Sequence, residues 1–289
     1  MSDSPPAYRV GEWTSADGLR LRYRDYPGGD GRPPLLCLPG LTRNARDFEP
    51  VAEASAGEWR VICADLRGRG QSDYARDAAT YTPLHYLGDV LALLDQAGLE
   101  RVVAIGTSLG GLVTMLLAFQ APDRLAGAVL NDIGPDIEQA GLARIREYVG
   151  QGRSFPTWMH AARGLREQGG MAHPDFSISD WLRLAKRLMA VGAGGRIAFD
   201  YDMKIAEPFQ APPPDEPFDM WPAFRALAGR PVLAIRGELS DILSAETLAR
   251  MKREVPSLDT VTIPRTGHAP TLEEPEAQAA IARLLASVR

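Results

Sequence analysis

The 289-residue chain is 45% hydrophobic and 24% charged, with a formal net charge of −5, an ordinary globular balance with enough apolar material for a large core. That mild acidity leaves no electrostatic footprint for nucleic acid or an anionic membrane surface, and neither is expected as a partner. No apolar run approaches the roughly 18 residues that span a bilayer, and the opening MSDSPPAYRV has no basic segment followed by an apolar one, so no secretory signal is expected.

In chain order, residues 19–24 (LRLRYR) alternate in polarity and are expected to form an antiparallel edge hairpin with the segment around 12–14. Short apolar runs follow at 35–38 (LLCL), 61–64 (VICA), 102–105 (VVAI), 128–130 (AVL) and 232–235 (VLAI). They do not alternate, which is the pattern of strands covered on both faces in a parallel sheet. Helices are expected between them. Residues 82–96 place Leu84, Leu87, Leu91 and Leu94 on one face, with Thr82 as cap and Pro83 at the first helical position. Residues 109–120 are apolar nearly all round, as befits a helix buried against a sheet. Ile281, Leu284, Leu285 and Val288 form a last apolar stripe. The alternation predicts an α/β fold. Cys37 and Cys63 each lie inside an apolar run, without a C-x-x-C partner, and are expected to be free thiols of a cytoplasmic protein. No residue spacing suggests a metal or other cofactor.

The alternation stops after Asn131 and resumes at Val232. Helical stretches around 142–149, 157–167 and 180–191 precede a proline-rich run at 207–222, which is expected to lead the chain back to the core. A structureless loop of that length is improbable. The division expected is therefore a core over 1–133 and 223–289, with a helical cap or lid inserted at 134–222. Most large apolar side chains of the insert should form its own core, while Trp158, Met159 and Trp181 are candidates for a substrate pocket.

The segment GTSLGG (residues 106–111) sets a serine between glycines in the pattern G-x-S-x-G, which suits a sharp strand-to-helix turn. A serine hydroxyl is a poor nucleophile at neutral pH and needs a base within hydrogen-bond reach. Of the four histidines, His85 suits a helix end, and His160 and His173 fall in the insert. His268, in RTGHAP, follows the last strand candidate, around residues 260–263. Loops at the carboxyl ends of parallel strands converge on one sheet edge, so Ser108 and His268 should share it.

Taken together, CLPGL at 37–41, DLRGRGQS at 65–72, GTSLGG at 106–111 and a GH near the C-terminus resemble serine hydrolases of the α/β-hydrolase superfamily, over nearly the whole chain. The resemblance implies a mostly parallel eight-stranded sheet with a helical cap inserted after strand six. It also implies a Ser-His-acid triad in the chain order Ser, acid, His. Asp241, in the loop after the 232–235 strand, is the expected acid, although it lies four residues past Gly237 where relatives often have three. Asp132, after strand six, is the alternative, and Glu238 is a third. Leu109 and Leu41 are the expected backbone N–H donors of an oxyanion hole, with Pro39 standing where the family commonly has His. Arg43 and Asn44 follow directly and could reach the pocket, but are expected in a solvated loop and a helix cap. Asp200 and Asp202, two apart in AFDYDMK, are expected to be structural.

The resemblance implies a hydrolase of small apolar or aromatic esters, needing no cofactor. Lactone opening and carbon–carbon bond hydrolysis use the same residues in this superfamily, and a non-catalytic ligand receptor is a further alternative. Neither glycine-rich loop has the lysine of a phosphate-binding loop, and a serine in place of aspartate argues for an acyl-enzyme.

Overall fold

The computed structural model describes residues 7–211 and 218–288. Its first strands, β1 (Arg9–Thr14) and β2 (Arg20–Tyr26), form the expected edge hairpin, with Thr14 opposite Arg20. Then come β3 (Leu35–Leu38), the short helix α1 (Glu49–Ala54), β4 (Val61–Asp65), α2 (Pro83–Gln96), β5 (Val102–Thr107), α3 (Leu109–Gln120) and β6 (Leu125–Asn131). After the insert, the core resumes with β10 (Val232–Gly237), α9 (Ala245–Glu254), β11 (Asp259–Ile263) and α10 (Pro275–Ser287).

The eight core strands form one sheet in the order β1-β2-β4-β3-β5-β6-β10-β11. Pairing is antiparallel at β1/β2 and β2/β4 and parallel from β4 onward. Every residue of β3, β4, β5 and β6 is buried, as their unbroken apolar runs require. One face packs on α2, α3 and α9 through Leu87, Leu94, Val113, Leu117 and Met251. The other packs on α1 and α10 through Val51, Ile281 and Leu284. Cys37 and Cys63 sit opposite each other across β3 and β4, both buried as free thiols. Burial, then the neighbouring sulfur, pushes the Cys37 thiol well above its ordinary range.

Between β6 and β10 lie α4 (Gln139–Tyr148), α5 (Trp158–Gly169), α6 (Ile178–Leu188), α7 (Ala206–Gln210) and α8 (Trp221–Arg225). The insert carries short strands as well as the expected helices, none of them in the main sheet. β7 (Ser154–Phe155), β8 (Met189–Val191) and β9 (Ile197–Phe199) form a separate three-stranded antiparallel sheet in the order β7-β9-β8. Part of the proline-rich run, residues 212–217, lies outside the described residues, and so does the expected return path there.

The insert is fastened to the core by polar contacts. Arg46 donates to Arg187 O (2.9 Å) and to Asp200 Oδ2 (2.7 Å). Tyr81 donates to Asp202 Oδ2 (2.7 Å), and the Asp202 N–H to Gly68 O (2.8 Å). Asp200 and Asp202 are thus docking residues, in keeping with a structural role. Asn44 accepts from Arg46 N as a helix cap and donates to Arg187 O (3.0 Å).

Candidate active site

The serine turn is built by close approach. Ser108 lies between β5 and α3 with φ +52°, a conformation that costs a non-glycine residue energy and is held by its surroundings. Its N–H donates to Asn131 O (3.0 Å). A Cβ on Gly106 would lie 2.4 Å from the Gly110 carbonyl, and one on Gly110 would lie 2.0 Å from Leu38 O. Both contacts are with backbone, so glycine is needed at each position for α3 to start this close to β3 and β5.

At the same sheet edge, the loop after β11 brings His268 to the serine. Ser108 Oγ and His268 Nε2 are 3.0 Å apart, and His268 Nδ1 is 2.8 Å from Asp132 Oδ2. The carboxylate can only accept, so it favours the tautomer with its proton on Nδ1 and leaves Nε2 free to accept from the serine. Asp132 is fully buried at the end of β6, with φ +55°. Its Oδ1 accepts from Gly237 N (2.8 Å), and its Oδ2 also accepts from Ser240 Oγ (2.6 Å).

The expected pairing of Asp241 with His268 is corrected. The Asp241 carboxylate is held by Arg144 of α4, at 2.5 Å from Nε and 2.8 Å from Nη2. That pair is about one-third exposed, and the Arg144 hydrogen bonds hold the Asp241 carboxyl below its usual range. The end of β10 and the loop after it instead send the Gly237 N–H and Ser240 Oγ toward Asp132, and Asp241 faces α4. Glu238, the third candidate, accepts from Arg265 N (2.7 Å) and is also not a partner of His268.

The N–H groups of Leu41 and Leu109 have no acceptor among the described residues, and both residues line a cavity with Ser108. Arg69 fixes the Leu41 loop: its Nε and Nη2 donate to Leu41 O at 3.0 and 2.8 Å. Nothing in DLRGRGQS marked that role; a fully buried arginine is visible only in the fold.

The cavity has a volume of about 250 Å³ and almost wholly apolar walls, including Leu112, Ile133, Ile137, Leu142, Ile145 and Phe209. Its roof is α4 and α7. Trp158, Met159 and Trp181 do not line it, which corrects that expectation. Trp181 is buried in the insert's own core with Ala161, Leu165 and Leu184, Trp158 packs against the same cluster, and Met159 is 40% exposed. The apolar faces of α5 and α6 are used up against each other and β9.

Of the other histidines, His85 and His160 are exposed beside Thr82 and Thr157 at helix starts. His173 is buried and stacked on Phe176 at 4.4 Å. Its pKa is lowered to about 4, first by burial, then by Arg43 and His268. Among the described residues, no group of three His, Cys, Asp or Glu side chains could hold a metal ion. Nor is any described helix long and apolar enough to cross a membrane.

A serine on a strand-to-helix turn, at the carboxyl edge of a largely parallel sheet and bonded to a histidine, defines the class of α/β hydrolases. The chain belongs to the alpha/beta hydrolase family, whose model matches residues 35–281. It is 35% identical to a 3-hydroxybutyrate-oligomer hydrolase of Cupriavidus necator, over 98% of each chain. It is 27% identical to a 2-(acetamidomethylene)succinate hydrolase of Mesorhizobium japonicum, over 86% of this chain and 85% of that one. The crystal structure of an alpha/beta hydrolase from Novosphingobium aromaticivorans superposes with a TM-score of 0.95 at 62% identity, covering 99% of this chain and 100% of that one.

Proposed function

We propose that the chain is a serine carboxylesterase acting through an acyl-enzyme on small esters with an apolar acyl group, short oligoesters of hydroxy acids foremost. The observation that carries this reading is the hydrogen-bonded line from Asp132 through His268 to Ser108, ending in an apolar cavity beside two backbone N–H groups without an acceptor among the described residues. Ser108 Oγ attacks the ester carbonyl as His268 Nε2 takes its proton. The N–H groups of Leu41 and Leu109 receive the negative oxygen of the tetrahedral intermediate. His268 returns the proton to the leaving alkoxide, and water then enters by the same steps to release the acid. Asp132 keeps the imidazole in its working tautomer and stabilises the imidazolium.

The hydroxy-acid oligoester class is supported by the Cupriavidus necator relative, matched end to end. An oligomer of 3-hydroxybutyrate is a chain of aliphatic esters, and its acyl units suit the walls of Leu112, Ile133 and Ile145.

Treatment with a fluorophosphonate should label one residue, Ser108. Ser108→Ala should abolish labelling and cost about 10⁴–10⁶ in kcat on para-nitrophenyl butyrate. Substantial turnover by a folded Ser108→Ala protein would refute the mechanism.

A further inference from the structure

Two cavities meet at Ser108, and they differ in kind. The larger is the apolar one. The second holds about 40 Å³ and is lined by Arg43, Thr42, Tyr148, Thr107, His268 and Ser108 among others. His268 lines only the second cavity of the two. Because the leaving alkoxide is the group His268 must protonate, the leaving group belongs on this polar side and the acyl group on the apolar side.

Arg43 is placed to receive charge there. Its side chain packs by the serine turn, since a Cβ on Gly40 would touch both Arg43 Cγ (3.4 Å) and Ser108 Cβ (3.7 Å). Only Nη1 is engaged, by the two Asp47 oxygens at 3.0 and 3.3 Å, and Nε and Nη2 have no acceptor among the described residues. Asp47 is the acidic partner of Arg43, and the nearby Arg144 is tied up by Asp241. Tyr148 adds a hydroxyl on the same wall, and burial pushes its phenol above the ordinary range, so it remains a donor at neutral pH.

We infer that Arg43, assisted by Tyr148, is a specificity site for a carboxylate on the leaving group, so that the protein cleaves oligoesters from their carboxylate end. This rests on the esterase reading above. In the step, the acyl C–O bond breaks, His268 Nε2–H gives its proton to the departing oxygen, and one free hydroxy acid leaves with its carboxylate against Arg43. Ser108 keeps the rest of the chain as its acyl ester until water releases it.

The test compares the linear trimer of 3-hydroxybutyrate as free acid and as its methyl ester, with the wild-type protein, Arg43→Gln and Arg43→Lys. The free acid should be preferred in kcat/KM by about tenfold or more, as expected for a charge-assisted contact. An isotope label in the carboxyl-terminal unit should appear first in free monomer. Arg43→Gln should reduce the acid-to-ester ratio at least tenfold, and Arg43→Lys should restore part of it, with circular dichroism checking that both are folded. The inference is overturned if the wild type shows no preference, if the ratio survives Arg43→Gln, or if the label leaves in dimer. Turnover of para-nitrophenyl butyrate without turnover of either trimer would also defeat it while leaving the esterase reading standing. If no ester is cleaved and no fluorophosphonate binds, both fall together.

Discussion

The sharpest contrast in the site is between two aspartates, and replacing each by asparagine separates them. In Asp132→Asn the amide must serve three donors that the carboxylate now accepts: Gly237 N, Ser240 Oγ and His268 Nδ1. The Gly237 N–H can only donate, so the amide oxygen stays there and the NH₂ faces His268. The NH₂ donates, so Nδ1 must offer its lone pair, which moves the imidazole proton to Nε2. That tautomer cannot take the proton of Ser108, so kcat should fall by about 10⁴, or about 5 kcal/mol of transition-state stabilisation. KM should change little, since the apolar cavity is untouched. Ser240 can rotate to accept from the amide, so the variant should fold. Asp241→Asn removes a partly exposed ion pair with Arg144 and should stay within about tenfold of wild type, consistent with the small worth of such pairs. The assay is kcat and KM on para-nitrophenyl butyrate, with circular dichroism for each variant. If Asp241→Asn is crippled and Asp132→Asn is near wild type, the hydrogen-bond argument is wrong.

Other outcomes follow from close packing and burial. Gly110→Ala should lose about 3 kcal/mol in urea unfolding, because its Cβ would meet the Leu38 carbonyl at 2.0 Å and overpacking against backbone has little room to relax; a loss under 1 kcal/mol would mean that the serine turn is looser than described. His173 stays neutral in the fold down to about pH 4, whereas the unfolded imidazole protonates near 6.5. The unfolded state therefore binds the extra proton between those values, and stability should drop by about 3 kcal/mol as the pH is lowered through that window. His173→Phe, which keeps an aromatic ring beside Phe176, should be less acid-sensitive than wild type between pH 6.5 and 4. Parallel stability curves for the two proteins would contradict this.

What was legible in the sequence is what local chemistry alone dictates. Buried parallel strands must be apolar on both faces, so β3, β4, β5, β6 and β10 stood out as unbroken runs. Ser108 was marked by the glycines that its turn cannot do without, and His268 by its place after the last strand. The carboxylate that meets His268 was not legible in the same way. Asp132 and Asp241 both follow core strands, and the family resemblance favoured Asp241, which the fold pairs with Arg144 while Asp132 meets His268. What separates them is long-range: Arg144, 97 residues away along the chain, holds Asp241, and Ser240, 108 residues away, turns to Asp132. The pocket failed for a related reason. Apolar stripes on α5 and α6 look alike whether they face a substrate or each other, and only packing shows that α4 and α7 form the roof. Strands as short as β7, β8 and β9 carry too few residues for alternation to register.

The placement of Asp132 also explains why the site can be assembled from such distant parts. Ser108 and His268 are 160 residues apart in sequence, and both are anchored to the end of β6. The carbonyl of Asn131 takes the Ser108 N–H, while its side-chain amide donates to Thr107 Oγ1 (3.1 Å) just before the serine and to Pro270 O (2.9 Å) just after the histidine. The next residue, Asp132, holds the imidazole itself. Two successive side chains, the last of β6 and the first beyond it, therefore set the distance between nucleophile and base. β6 is paired on both sides, by β5 and β10, and is buried throughout, which makes it among the stiffest supports the sheet offers. An acid on the loop after β10 would share neither the Asn131 anchor nor that rigidity, and the distance from serine to histidine would then depend on two loops instead of one strand end.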